Sequence, residues 1–203
     1  MLVYLEYISR RPGVGLHEFY KVAGAGPIGW TGDFATDKAV LNLGRTWRMG
    51  PEPEYLTVWY SPEHGLERLD EWEGIFGAGE ADAYEEPFRL AARIERSGCY
   101  EPLTEPVRGT LGRYYAEWFD WGAGSSRQDV SGYFESRIVR YPELQLNLLI
   151  DRIGNLGPDP RGLAVWGTPS WVDLDAIARE DHSSSPIVPV AASFYSDFGK
   201  EIL

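Results

Sequence analysis

One short phrase occurs twice in the chain, and it limits the possible folds more than any other feature of the sequence. Residues 50–62 read GPEPEYLTVWYSP and residues 157–169 read GPDPRGLAVWGTP, and the two align without a gap. Each copy also follows the tripeptide Leu-Asn-Leu, at 41–43 and at 146–148. Self-similarity of this length in a chain of 203 residues indicates an internal duplication.

Both halves of the chain predict the same order of elements, β-α-β-β-α-β. Alternating apolar residues bounded by turn signals indicate strands, and apolar residues three or four apart indicate helices. In the first half we predict strands at 2–8, 40–49, 55–60 and 89–95, and helices from Leu16 and at 66–76. In the second half we predict strands at 113–121, 144–153, 163–166 and 187–195, and helices at 127–140 and 173–179. The predicted domains are a first repeat at 1–99, a connection at 100–111 and a second repeat at 112–203.

Two such units predict an α+β fold that closes on itself. A single βαββαβ unit covers one face of its sheet with helices, and the other face would leave a large apolar patch in water. A fused second copy covers that face, sheet against sheet. We therefore predict two tandem ferredoxin-like βαββαβ repeats whose antiparallel sheets pack into one pseudo-twofold α+β barrel. Since the chain carries both halves, an oligomer is possible but is not needed to close the barrel.

This order, the tandem copy and the start of the first helix (Pro12, Gly13, Leu16 and Phe19) resemble the dimeric α+β barrel superfamily. Within it, the chain is most similar to NIPSNAP-like proteins, over both halves, and the likeness rests on topology. The resemblance implies a pocket between sheet and helices or inside the barrel. Members of the superfamily include cofactor-independent monooxygenases, isomerases, polyketide cyclases and haem-handling enzymes.

Composition narrows the classes of partner. A formal net charge of −12 argues against nucleic acid and anionic membranes, which both need clustered Lys and Arg. One cysteine, Cys99, fits a reducing compartment and excludes an intramolecular disulfide. The N-terminus has no signal-peptide pattern, so we expect a cytoplasmic protein. The three histidines have no metal-binding spacing, and we expect neither a metal nor a cofactor.

Strand alternation separates two faces of the predicted sheet. Leu56 and Val58 match Leu163 and Val165, an aliphatic face that we expect under the helices. The opposite face is then predicted to line the barrel interior with symmetric pairs of polar and aromatic residues. These are Tyr4 and Tyr115, Glu6 and Glu117, Trp59 and Trp166, and Asn42 and Asn147.

Two carboxyls in an aromatic cavity favour an enzyme that works by proton transfer. Burial raises the pKa of a carboxyl group, and a second carboxyl nearby raises it further, so Glu6 and Glu117 are candidates for general acid and base. Asn42 and Asn147 would anchor a carbonyl oxygen, and the Trp and Tyr pairs would bind a small apolar or aromatic substrate. The hypothesis is a cofactor-independent monooxygenase, isomerase or cyclase.

Three alternatives stay open at this point. Glu6 and Glu117 could instead pair with arginines such as Arg45, Arg48 or Arg93 in a satisfied polar core. The chain could be a non-catalytic binding or assembly protein of the NIPSNAP type, with its barrel filled by side chains. It could also bind haem through one of its histidines.

Overall fold

The computed structural model describes residues 1–23, 38–46, 50, 53–70, 86–110 and 112–197. Twelve strands and helices have both ends within these ranges. They are β1 (Leu2–Arg10), α1 (Leu16–Ala23), β2 (Lys38–Arg45), β3 (Tyr55–Ser61), α2 (Glu86–Ala91), β4 (Ala92–Pro102), β5 (Arg113–Trp121), α3 (Arg127–Arg140), β6 (Gln145–Arg152), β7 (Gly162–Thr168), α4 (Asp173–Ala178) and β8 (Ile187–Asp197). No helix in these ranges is both long enough and apolar enough to cross a bilayer.

The eight strands form one closed antiparallel barrel. Their order around it is β1-β3-β2-β8-β5-β7-β6-β4, so strands from the two halves meet at β2 with β8 and at β4 with β6. These two junctions are short, with three paired residues each, whereas β1 pairs with β3 and β4 along most of its length. The predicted α+β class and the closed barrel are confirmed.

The predicted elements agree best in the second half. The strand at 113–121 and the helix at 127–140 have the predicted bounds. The strand predicted at 89–95 is wrong in its bounds, because Glu86–Ala91 is helical and β4 extends to Pro102. Residues 67–70 of the helix predicted at 66–76 are helical, and residues 71–76 lie outside the described ranges.

Local sequence explains where α3 begins. Ser126 adopts an extended conformation and accepts a hydrogen bond from the backbone N–H of Asp129, while the Asp129 carboxylate accepts one from the backbone N–H of Ser126. This capping box satisfies two N–H groups that the first helical turn leaves without partners. Gly124, just before it, has a φ of +82°, which residues with a side chain rarely adopt.

The barrel interior is filled by a continuous apolar core. Every strand contributes to it and none of the described helices does, as expected for side chains that point inward from a closed sheet. Its members include Leu5, Leu43, Leu56, Val58, Tyr100, Ala116, Trp118, Leu148, Leu163, Val165 and Tyr195. The interior of the barrel is therefore a packed core.

Other clusters lie between the outer face of the sheet and the helices. In the second half, Phe119 and Trp166 of the sheet pack against Phe134 of α3 and Ile177 of α4. In the first half, Ile8 and Tyr55 pack against Phe19 of α1. Both faces of the sheet are thus buried and apolar over much of their area.

Candidate functional site

The predicted Tyr, Glu and Trp pairs lie on the outer face of the barrel, under the helices, and the predicted interior placement of these six residues is wrong. Leu56, Val58, Leu163 and Val165 belong to the interior core. By alternation, the side chains of neighbouring residues on the same strands point outward. Those side chains are Tyr4, Glu6, Thr57, Trp59, Tyr115, Glu117, Ala164 and Trp166, and each is at most 8% exposed.

In the second half, Glu117 is held in a buried ion pair. Both guanidinium NH groups of Arg137, a residue of α3, donate to the two carboxylate oxygens of Glu117. The indole Nε1 of Trp166 donates to the same carboxylate at 2.8 Å. Arg137 is 0% exposed and Glu117 is 2% exposed. The alternative that these carboxyls pair with arginines is confirmed for Glu117, although the partner is none of the arginines considered from the sequence.

A second carboxylate extends this ion pair to the end of α4. Arg137 Nε lies 2.7 Å from Oε2 of Glu180, and Arg140 also pairs with Glu180. Desolvation lowers the pKa of Arg137, but the nearby Glu117 outweighs it and the net shift is upward. Arg137 therefore carries a positive charge at neutral pH.

Aromatic rings enclose the Arg137 guanidinium on its remaining sides. Its central carbon lies 5.0 Å from the ring centre of Trp166 and 5.3 Å from those of Phe134 and Tyr133. Phe134 and Trp166 are themselves stacked with ring centres 6.1 Å apart. Side chains thus fill the space between the sheet and α3.

His182 lies at the rim of this cluster. Its Nδ1 is 2.8 Å from the hydroxyl of Tyr133, and burial raises the pKa of Tyr133 to about 12. The hydroxyl is therefore neutral at ordinary pH. This hydrogen bond ties the segment between α4 and β8 to the surface of α3.

In the first half, the same face of the sheet is more polar. Trp59 Nε1 donates to Glu6 at 3.1 Å, as Trp166 does to Glu117. The strand register places Ser97, Glu6, Thr57 and Asn42 in one row across four adjacent strands. The corresponding row of the second half is Ala192, Glu117, Ala164 and Leu149.

Asn42 and Asn147 are not equivalent, although both stand in a Leu-Asn-Leu tripeptide. Asn147 lies at a bulge in β6, between the partners of Val165 and Trp166, whereas Asn42 lies directly opposite Thr57. The fully buried Asn147 donates to the backbone carbonyl of Val107 at 3.1 Å, so it fastens the connection between the halves to β6. The two residues therefore differ in their surroundings, and their role as anchors of a carbonyl oxygen stays a prediction.

A cleft of about 860 Å³ opens at one end of the barrel in the first half. We call it the barrel-end cleft. It is lined by Tyr7, Ser9, Arg10, Arg11, residues 12–15, Pro53, Glu54, Arg93, Glu95 and Arg96. Tyr7 belongs to the interior core, and its hydroxyl accepts a hydrogen bond from Nε1 of Trp118 at 3.1 Å, so the cleft reaches the mouth of the barrel. No pattern in the sequence pointed to this group of residues.

Comparison with solved structures finds chains of the same fold and very low sequence identity. A chlorite dismutase variant from Candidatus Nitrospira defluvii in complex with cyanide is 8% identical with a TM-score of 0.61, and the match covers 99% of this chain and 92% of that one. A novel heme-binding protein from Thermus thermophilus is 12% identical with a TM-score of 0.54, over 97% of this chain and 91% of that one. No family model and no curated protein matches the sequence.

These neighbours correct the predicted function. A cofactor-independent enzyme that uses Glu6 and Glu117 as acid and base is wrong, because the similar structures are of chlorite dismutases and a heme-binding protein. The geometry agrees with the correction, since Glu117 is committed to Arg137 and Trp166 under a filled helix–sheet interface.

The outer face of the second half does not fit a haem group. Haem is a rigid planar ring, and the space between the sheet and α3 is occupied by Phe134, Trp166 and Arg137, each 0% exposed. A ring inserted there would have to break the Arg137–Glu117 ion pair. His182 is held by Tyr133 at the rim and not within this space.

The barrel-end cleft has a different chemistry. Its described lining residues include four arginines, which suit carboxylate groups, and no His, Cys or Met to ligate an iron ion. The closed antiparallel barrel and these neighbours together show that the chain shares the fold of the solved chlorite dismutases.

Proposed function

We propose that this chain is a small-molecule-binding protein whose ligand site is the barrel-end cleft. The observation that carries the proposal is the cleft itself, about 860 Å³ in volume and walled by β1, β4, the loop before α1 and the residues that lead into β3. Binding sites for small molecules occupy roughly 300–1,000 Å³. The barrel interior and the helix–sheet interface of the second half are filled by side chains, so neither competes as a site.

Haem is one ligand to test, because the structural neighbours include chlorite dismutases and a heme-binding protein. Its two carboxylate groups suit the arginines of the cleft, and Tyr7, Val14 and Pro53 supply apolar contact area. A haem bound there would take its contacts from these residues. Its redox chemistry would come from the iron, for which the described lining residues offer no imidazole or thiolate ligand.

The test is a variant that fills the cleft without disturbing the fold. Gly15 lines the cleft, and a Cβ atom placed on it meets nothing within 4 Å, so Gly15→Trp puts an indole into open space. The matched control is Gly132→Trp on the exposed side of α3, where a Cβ atom also meets nothing within 4 Å. Haem titration followed by absorbance, and a thermal-shift screen of small molecules, are run on both variants and the parent.

We expect every ligand that stabilises the parent to stabilise Gly132→Trp to the same extent. The affinity of the same ligand for Gly15→Trp should be at least about tenfold lower, which corresponds to about 1.4 kcal/mol. Binding that is the same in all three proteins would refute the cleft as the site.

We also infer that the two halves are tandem ferredoxin-like repeats at 1–99 and 112–203, joined by 100–111. The support is the equal register of the central strands, in which Tyr4 pairs with Trp59 and Tyr115 pairs with Trp166. The NIPSNAP-like affiliation, the cytoplasmic location and the absence of a nucleic-acid partner remain predictions.

A further inference from the structure

Charge is distributed unevenly between the barrel-end cleft and the rest of the molecule. The chain has a net charge of −12, yet the cleft is lined by Arg10, Arg11, Arg93 and Arg96 against only two carboxylates, Glu54 and Glu95. A positive cleft on an acidic protein costs stability through crowding of like charges, and it attracts anions.

Two of the four arginines are neutralised by neighbours. Arg10 pairs with Glu54 at 3.5 Å, and the Glu54 carboxylate also accepts a hydrogen bond from the backbone N–H of Arg10 at 3.0 Å. Arg93 pairs with Glu95, two residues along β4. These pairs position the walls of the cleft and leave little net charge.

The other two arginines contact uncharged groups. Arg11 Nε donates to the backbone carbonyls of Arg89 and Ala92, at 2.6 and 3.0 Å, and these acceptors are uncharged. Arg96 lies over the ring of Tyr7, with its guanidinium carbon 4.6 Å from the ring centre. Neither arginine has a carboxylate partner within the described part of the chain. Burial raises the pKa of Tyr7, so the phenol beneath Arg96 does not supply a negative charge at neutral pH.

At the equivalent end of the second half, Arg161 stands where the first half has Glu54, and Ala191 stands where the first half has Arg96. Arg161 makes two hydrogen bonds to Asp151, at 2.6 and 2.9 Å, and its guanidinium carbon lies 3.5 Å from the ring centre of Trp121. The two halves therefore differ in available charge at the same end of the barrel.

We propose that the barrel-end cleft selects anionic ligands, small molecules that carry carboxylate or phosphate groups, through Arg11 and Arg96. This inference rests on the proposed function, since it takes the cleft as the ligand site. Guanidinium groups bind both kinds of oxyanion through paired N–H donors. Arg11 is already fixed by two backbone carbonyls, so little side-chain entropy is lost when an anion binds to its remaining N–H groups.

The test is calorimetric titration of the full chain with citrate and with pyrophosphate, at low and at physiological salt. Arg11→Gln and Arg96→Gln each remove one charge and keep a hydrogen-bonding side chain of similar length. Arg179→Gln is the matched control, because it removes the same charge outside the cleft. Arg179 follows α4, and its exposed side chain pairs with Asp175. Gly15→Trp is titrated alongside.

We expect binding of at least one anion, weakened about three- to tenfold by Arg11→Gln and by Arg96→Gln, and by less than about twofold by Arg179→Gln. Affinity should fall as salt rises, since the cleft is open to solvent. Tighter binding of citrate identifies a carboxylate ligand, and tighter binding of pyrophosphate a phosphate ligand.

Two results would overturn the inference. The first is that neither anion binds, or that Arg179→Gln weakens binding as much as the cleft variants do. The second is that Gly15→Trp abolishes binding of a ligand that Arg11→Gln and Arg96→Gln leave unchanged, which would keep the cleft as the site but show that its ligand is not recognised by charge. If binding survives in Gly15→Trp as well, the proposed function fails together with the inference.

Discussion

Removal of the Arg137 guanidinium tests whether the second half is held together by a buried charge cluster. We choose Arg137→Met, because methionine keeps most of the apolar length of the side chain and removes only the charge and the hydrogen bonds. The change leaves Glu117 buried, at 2% exposure, with Trp166 Nε1 as its remaining described donor. Glu180 is affected less, since it keeps Arg140 as a partner.

The size of the effect follows from this burial. Breaking a buried ion pair by removing one partner costs about 3–5 kcal/mol, because the other charge stays in a medium that solvates it poorly. Contacts between the guanidinium and three aromatic rings are lost in addition. We therefore expect Arg137→Met to lower the free energy of unfolding by at least about 3 kcal/mol.

The assay is urea unfolding followed by tryptophan fluorescence, with two further variants. Arg179→Met removes an exposed arginine whose pair with Asp175 is worth about 0.2–1 kcal/mol. Glu117→Gln combined with Arg137→Met removes both buried charges, and the glutamine oxygen can still accept from Trp166. The double variant should be more stable than Arg137→Met alone. A loss for Arg137→Met no larger than that for Arg179→Met would refute the charge cluster as a structural core.

Two further predictions concern packing and pH. Gly162→Ala should destabilise the fold by about 1–3 kcal/mol, because its Cβ atom would lie 2.4 Å from the ring of Phe119. Gly132→Ala on α3, where a Cβ atom meets nothing within 4 Å, should stabilise the fold by about 0.5–1 kcal/mol. Thermal unfolding midpoints that shift in the same direction for both variants would contradict this prediction. In the folded chain, hydrogen bonds from the side chain and the backbone of Ser126 lower the pKa of the Asp129 carboxyl. The stability that the ionised Asp129 contributes is therefore fully present above the ordinary pKa of an aspartate, and it is lost as the pH falls through the lowered pKa. Urea midpoints between pH 5 and 2 should fall less for Asp129→Asn than for the parent, and an equal fall would contradict the linkage.

The sequence predicted the strands and helices of the second half well because their local signals agree. Helix α3 combines a capping box at Ser126 with apolar residues Val130 and Phe134 four positions apart, and strand β5 is rich in aromatic residues and bounded by Gly112 and Gly122. The bounds of β4 were harder, because Leu90 and Ala91 suit a helix and a strand equally and β4 follows α2 directly, with no glycine or proline to separate the two.

The predicted faces of the sheet were inverted, and the reason is physical. Alternation shows which residues share a face, but it does not show which face points into the barrel when both are buried. Trp59 and Glu6 on one face, and Leu56 and Val58 on the other, are all less than 9% exposed. A buried tryptophan with a hydrogen-bonded indole suits the helix–sheet interface as well as it suits a barrel interior.

Aligning the halves does not predict the register of the Leu-Asn-Leu tripeptide, the buried Arg137 or the arginines of the barrel-end cleft. The Leu-Asn-Leu match hides a difference in register, because bulges in β2 and β6 shift the strands relative to that tripeptide. Arg137 had a usable signal, since it lies seven residues after Val130 on the stripe that also contains Phe134. An arginine on the apolar side of a helix predicts a buried acidic partner. The arginines of the barrel-end cleft come from β1 and β4, and only the tertiary fold brings them together.

The most direct test of the central claim is where a bound ligand perturbs the protein. In two-dimensional NMR spectra, titration with haem, citrate or pyrophosphate should shift the backbone amide signals of Gly13 and Gly15 in the cleft. The indole Nε1–H signal of Trp166, assigned with a Trp166→Phe variant, should remain unchanged, because its ring is packed beside Arg137 and Phe134. Shifts or broadening at the Trp166 indole with unmoved Gly13 and Gly15 would place the ligand in the second half and contradict the account.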